Sequence, residues 1–306
     1  MTITNAHTHL ELGWLAECCP SEDGQDFLPW LTNMTERWRK VAGAGCFAEV
    51  YYHKAVESGI QSLLESGVTH IGDISSTGKS LPLLLQSGLK GVVYIECLTP
   101  YPAEVEKRFN MARYLIDEWR PKENGGLKVG LTLHTPYTVH PALWRKALPY
   151  ARQENLPLCV HVAESPGEYE WMTRGTGPFA EFSEMRGDPI PVPKKTPIAY
   201  LEELGVLDLK PLLVHAVHVT EDDVKRIKAS GSAVVHCPRS NQRLRCGRMP
   251  LELYLKHDVP VYLGTDSLAS APSLDIREEL EAAVRLHEGH VPRAEIEKLL
   301  HRPLEA

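Results

Sequence analysis

Nowhere is this chain apolar for anything near the roughly 20 residues that a membrane-spanning helix requires, which excludes a helical span. Its seven cysteines, Cys18, Cys19, Cys46, Cys97, Cys159, Cys237 and Cys246, contain no Cys-x-x-Cys pair. That leaves neither a thiolate zinc site nor a small disulfide framework. Positive charge is not in excess: 33 Lys and Arg face 40 Asp and Glu, a formal net charge of −7. Nothing here suits a nucleic-acid backbone or an anionic membrane surface, so a small-molecule partner is expected. The opening residues Met1 to His7 have neither a basic leader nor an apolar stretch, and a cytoplasmic location is expected. What is present is ordinary globular material, 43% hydrophobic and 24% charged over 306 residues, with 14 histidines as the unusual feature.

Short β-branched runs alternate with helical stretches. Strands are expected at Thr2–Ala6, Val68–Ile74, Gly91–Cys97, Leu127–Leu133, Leu158–Ala163, Pro211–Ala216, Ala233–Cys237 and Pro260–Gly264. Helices are expected at Phe47–Ser66, Pro141–Glu154, Glu221–Ala229 and Leu274–His287. Thr220 followed by Glu221, Asp222 and Asp223 is a helix start, and Ser230-Gly231 is a stop. Repeated βα units predict a parallel sheet, and eight of them predict an α/β fold of the (β/α)8 TIM barrel type. An open doubly wound sheet is the alternative, weakened because no glycine-rich phosphate loop follows any strand. Residues 1–306 read as one such barrel, with long active-face loops at 13–45 and 164–196. The first loop carries Trp14, Phe27, Trp30, Met34 and Trp38, either an aromatic surface for a planar substrate or a locally packed helix.

His7 and His9 flank Thr8 at the end of the first strand, and residues two apart on a strand share a face. His161 ends the fifth strand, His215 the sixth, and Asp266 follows the eighth. In a barrel these positions converge above the central axis, and nitrogen and oxygen donors of this kind suit Zn²⁺ or Fe²⁺. A polar cluster satisfied by its own hydrogen bonds is the bland alternative.

The segments Asn-Ala-His-Thr-His-Leu-Glu (5–11), Leu-His-Thr-Pro-Tyr-Thr-Val (133–139), His-Val-Ala-Glu (161–164), Val-His-Ala-Val-His (214–218), Val-His-Cys-Pro-Arg-Ser-Asn (235–241) and Leu-Gly-Thr-Asp-Ser (263–267) resemble the amidohydrolase superfamily. Within it they are similar to the deaminase and chlorohydrolase branch that acts on nitrogen heterocycles. The resemblance implies His7, His9, His161 and Asp266 as metal ligands, Glu164 as acid/base, His215 as the group orienting the attacking water, and Asp266 as acceptor of its proton. It also implies one divalent metal ion, most simply Zn²⁺, because the fourth strand ends in His134 and Lys128 lies at its other end. His134, Arg239 and Asn241 are implied substrate contacts, and an arginine near the mouth suits an anionic substituent.

The Cys-Pro-Arg-Ser-Asn motif is similar to the branch containing aminodeoxyfutalosine deaminases of menaquinone synthesis, so hydrolytic deamination of an adenine nucleoside derivative is the expected reaction. A chlorohydrolase or cyclic amide hydrolase with the same metal site, and a non-catalytic metal-binding barrel, are the alternatives. His236 is expected to support its turn, His70 to pack, and His53, His257, His287, His290 and His301 to lie on the surface. Relatives of this kind carry a small β-sandwich, and the expectation here is either a barrel-only member or one whose flanking segments have been trimmed, its barrel underside uncovered in both cases. The underside of the barrel is therefore expected to self-associate as a homo-oligomer.

Overall fold

The eight β-branched runs form eight parallel strands in the computed structural model, which describes residues 2–18, 24–42, 46–185 and 190–304. They are β1 (Thr4–Thr8), β2 (His70–Ser75), β3 (Lys90–Cys97), β4 (Leu127–Leu133), β5 (Leu158–Val162), β6 (Leu212–His215), β7 (Ala233–His236) and β8 (Val261–Leu263), hydrogen-bonded in sequence order. Each lies within two residues of its expected limits. The largest displacement is β1, which begins at Thr4 because Ile3 is engaged by the Thr69 side chain, its N–H donating to Thr69 Oγ1 at 3.0 Å.

Alternation along the strands builds two cores. On β3, Val92 and Tyr94 point inward and pack with Ala6, Ile74, Val214 and Val235, whereas Val93 and Ile95 point outward against the helical layer. The β1–β8 seam uses side chains as well as ladder bonds. Asp266 N donates to His7 O at 3.0 Å, and Asn5 Oδ1 accepts from Thr265 N at 3.1 Å. Gly264 permits this seam, since a Cβ there would stand 2.9 Å from the Cβ of His7. Gly72 does the same for β1 and β2, where a Cβ would stand 2.1 Å from the carbonyl oxygen of Ala6. The result is the expected (β/α)8 barrel.

The long segments after β1 and β5 hold helices. Phe27–Ala42 is helical because Phe27, Trp30, Leu31, Met34 and Trp38 recur every three or four residues and lay one stripe over the barrel mouth. Ser165 caps Pro166–Arg174, and a second helix, Pro178–Met185, follows. The parts of these loops at 19–23, 43–45 and 186–189 lie outside the described residues. Glu221–Ser230 begins with the capping box implied by its sequence: Thr220 Oγ1 accepts from Asp223 N at 3.1 Å, and Asp223 Oδ2 accepts from Thr220 N at 2.9 Å.

One histidine is placed differently from expectation. His287 is fully buried, not on the surface, because the Ile276–Leu286 helix ends against β7, where His287 Nε2 lies 3.1 Å from His236 Nε2. Among the described residues no helix is long and apolar enough to cross a membrane.

Candidate active site

β1 runs to Thr8, so His7 lies in the strand and His9 immediately after it; both imidazoles reach the barrel axis. β5 delivers His161 from the opposite side, and its Nε2 lies 3.2 Å from both His9 Nε2 and His7 Nε2. Asp266, just past β8, places Oδ1 at 3.5 Å from His7 Nε2 and 3.6 Å from His9 Nε2. Four ligands at about 2.0–2.1 Å from a tetrahedral cation stand about 3.3–3.4 Å apart along each edge, so these spacings match that of a Zn²⁺-like ion. Three imidazole nitrogens aimed at one another have too few protons and too little room to satisfy themselves. The donor set fits a single divalent metal, and His134, not a lysine, follows β4.

Burial sets the protonation states. It pushes His9 and His161 well below the ordinary imidazole range, and the neighbouring histidines add to the effect, leaving neutral rings with lone pairs to offer. For Asp266 burial would raise the carboxyl, but the hydrogen bond and charge of His7, with His9 and His215, hold it well below the usual carboxylate range. Its second oxygen accepts from Ser240 Oγ at 2.7 Å and Ser270 Oγ at 2.9 Å. Glu164 lies in the reverse situation. Burial, then the charges of Asp266 and Glu168, push it well above the usual carboxylate range, which favours its protonated form.

Glu164 Oε1 lies 3.4 Å from His215 Nε2, and His215 Nδ1 is 3.0 Å from Asn241 Oδ1. An amide oxygen can only accept, so the Nδ1 proton of His215 is fixed and Nε2 presents its lone pair toward the site. Burial pushes His215 down to about 4. His134 borders the same space, with Thr138 Oγ1 2.9 Å from its Nδ1 and Glu96 Oε1 3.9 Å from its Nε2. Above this floor opens a cavity of about 460 Å³, walled by Trp30, Met34 and Trp38 on one side and by Leu98, Tyr101 and Met111 on the other.

Of the residues singled out in the sequence, His7, His9, His134, His161, Glu164, His215 and Asp266 meet at one place. Two others, Asn241 and Arg239, stand outside this group. Asn241 is fully buried behind His215 and contacts it rather than a ligand. Arg239 is also turned away: its guanidinium pairs with Glu279 and Glu278 and donates to Ser273, because the Ile276–Leu286 helix packs against the turn after β7. A guanidinium so occupied has no fork left for a substrate anion.

Glu96, Ser240 and Glu168 escaped sequence reasoning. Glu96 left a readable trace, a lone carboxylate near the end of the apolar run Val92–Ile95. Ser240 is an ordinary residue within a motif. Glu168 stands three residues past Ser165, a capping-box spacing, which conceals its further contacts.

The amidohydrolase family profile matches residues 2–299. The aminodeoxyfutalosine deaminase of Deinococcus radiodurans is 38% identical over 301 residues, covering 94% of this chain and 68% of its own. That of Nitratiruptor sp. is 31% identical, covering 92% and 67% respectively. The crystal structure of Helicobacter pylori aminofutalosine deaminase in complex with methylthio-coformycin superposes with a TM-score of 0.81 at 26% identity, over 97% of this chain and 70% of that one. The chain therefore spans about two thirds of the length of the relatives it matches.

Proposed function

The chain belongs to the amidohydrolase family, and on that premise we propose that it hydrolytically removes the amino group from the adenine ring of a nucleoside derivative, with aminodeoxyfutalosine as the leading substrate. The observation that carries this reading is Glu164: a carboxyl buried just past the end of β5, 3.4 Å from His215 and beside the three-histidine and aspartate cluster. A neutral heteroaromatic ring is a poor electrophile until a ring nitrogen is protonated, and a proton-bearing carboxyl in a water-poor pocket is the group for that task.

His7, His9, His161 and Asp266 would hold the metal, for which Zn²⁺ is our assignment. When bound, a divalent ion lowers the pKa of a coordinated water toward about 7 and so supplies a nucleophile at neutral pH. Asp266 takes the proton that the water gives up. His215 Nε2, its tautomer set by Asn241, accepts a hydrogen bond and orients the water toward the ring carbon bearing the amino group. Glu164 delivers its proton to the adjacent ring nitrogen as the new carbon–oxygen bond forms. The proton held by Asp266 passes to the amino nitrogen, the carbon–nitrogen bond breaks to release ammonia, and the hydroxyl proton returns to Glu164 as the ring carbonyl forms. Glu96 and His134 offer polar contacts to the sugar, and the aromatic wall excludes water from the ring.

The test is a parallel assay of metal-loaded protein for ammonia from adenine nucleosides, aminodeoxyfutalosine included, and for chloride from chlorotriazines. Ammonia without chloride is expected, together with about one equivalent of zinc by elemental analysis. Chloride alone would replace this reading with the chlorohydrolase one. Metal binding without turnover of either substrate would leave a binding barrel.

A further inference from the structure

Glu168 is 1% exposed and does not line the cavity, yet it is tied to the residue on which the proposed chemistry depends. Just past β5 the backbone turns through Ala163, whose φ of +52° lies in the left-handed region that alanine adopts only at a cost. The turn leaves two successive amides pointing into the protein, away from water. Glu168 accepts both, Oε1 from Ala163 N at 2.8 Å and Oε2 from Glu164 N at 2.8 Å. On its other side the Ala163 carbonyl accepts from Val217 N at 3.0 Å and His218 N at 2.9 Å, binding this turn to the segment that follows His215.

The capping box at Thr220 provides an internal contrast. There Asp223 returns Oδ2 to the N-cap amide, and its Oδ1 accepts from Thr196 Oγ1 at 2.6 Å, so the carboxylate serves two helix starts rather than a strand-end turn. At Ser165 the spacing is the same and the Ser165 hydroxyl accepts from Glu168 N at 3.2 Å, but the longer Glu168 carboxylate reaches back to the two residues preceding the cap. Helix capping alone does not require that reach. Removing the carboxylate would orphan two buried amides on a strained turn, which the chain would relieve by moving Glu164.

We infer that Glu168 is a positioning residue for Glu164: its carboxylate bridges the amides of Ala163 and Glu164 and so fixes the left-handed turn that aims Glu164 at the reacting ring. This rests on the deaminase reading. The test compares Glu168→Gln, whose amide can accept from only one of the two N–H groups, with Thr220→Ala, which breaks a helix cap away from the site. Thermal melting, metal content, steady-state kinetics and hydrogen–deuterium exchange of the 160–166 backbone would be measured. Glu168→Gln should lower kcat by about 30- to 100-fold with KM within about threefold of the parent, keep its metal, and exchange the Ala163 and Glu164 amides faster. Thr220→Ala should melt lower and keep its kcat. If Glu168→Gln does not fold, Glu168→Asp, one methylene too short to span both amides, decides the same comparison.

Equal losses of kcat in Thr220→Ala and Glu168→Gln at matched melting temperature, or an unchanged exchange rate, would overturn the inference. A parent protein that releases no ammonia would instead overturn the deaminase reading, and the exchange result would still report on the turn.

Discussion

The floor and the mouth of the cavity are built on different principles. At the floor, His7, His161, Glu164, His215 and Asp266 sit at or within three residues of strand ends and are almost wholly buried. Ladder bonds and a few buried acceptors such as Asn241 set their directions. At the mouth, Met34 and Trp38 belong to a single amphipathic helix, are half-buried, and are held by side-chain packing. A floor fixed by the sheet tolerates little displacement, whereas a wall carried by one helix can change its side chains without moving the chemistry. Substitutions in the two regions should therefore separate turnover from recognition.

The largest effect is expected at the metal ligands. His161→Asn and Asp266→Asn should both lose metal, measured by elemental analysis, and ammonia release should fall by more than about 10³-fold. Glu164→Gln should retain its metal and lose about 10²- to 10⁴-fold in kcat, the usual range for a removed general acid. If it lost metal as well, the assigned division of labour on the floor would be wrong. Trp38→Ala at the mouth should raise KM by about tenfold and leave kcat within a few-fold, consistent with about 1.5 kcal/mol of apolar contact. A kcat defect matching that of Glu164→Gln would dissolve the distinction between the two regions.

Arg239→Met addresses a residue that sequence position had assigned to recognition. Because it leaves Glu279 buried and unpaired, denaturant unfolding should show a loss of about 3 kcal/mol, with KM for the nucleoside unchanged. The smallest effect is a pH trend. Burial raises Asp73 and Glu279 to about 7 in the folded protein, against ordinary carboxyl values in the unfolded chain. Between roughly pH 4 and 7 the native state therefore keeps protons on these two carboxyls that the unfolded state has released, so their contribution to stability falls as pH rises, while that of the buried His215 and His287, lowered to about 4, runs the other way. The carboxyl part is read as the melting-temperature difference between the parent and Asp73→Asn at pH 5, 6, 7 and 8: the parent's advantage should shrink as pH rises, and an advantage that grows would contradict it.

The floor was legible in the sequence because strand ends are. His161 and His215 each close a run of aliphatic residues, and His7 and His9 share a period of two, so a parallel barrel brings them together whatever their separation along the chain. Other features depend on packing between helices, which no local pattern reports. The guanidinium of Arg239 is claimed by Glu279, 40 residues later, and His287 is buried because a helix end meets β7. The long loops concealed helices for a milder reason: Phe27, Trp30, Leu31, Met34 and Trp38 have helical spacing, but aromatic residues near an active face read equally well as ligand contacts. Glu168 was hidden by its resemblance to a routine cap.

Four of the described non-glycine residues with positive φ, Ala163, His215, Ala216 and Asp266, stand at the ends of β5, β6 and β8. Variation under selection for heat tolerance alone should drift toward glycine or asparagine at Ala163 and Ala216, since each relaxes the backbone locally and neither alters a reactive group. Such lineages would gain stability from an unstrained turn, while glycine also widens the backbone freedom behind Glu164 and His215. Pressure for turnover should push the same two positions back to alanine, so their residue identity in a directed-evolution experiment would report which demand the population had been meeting.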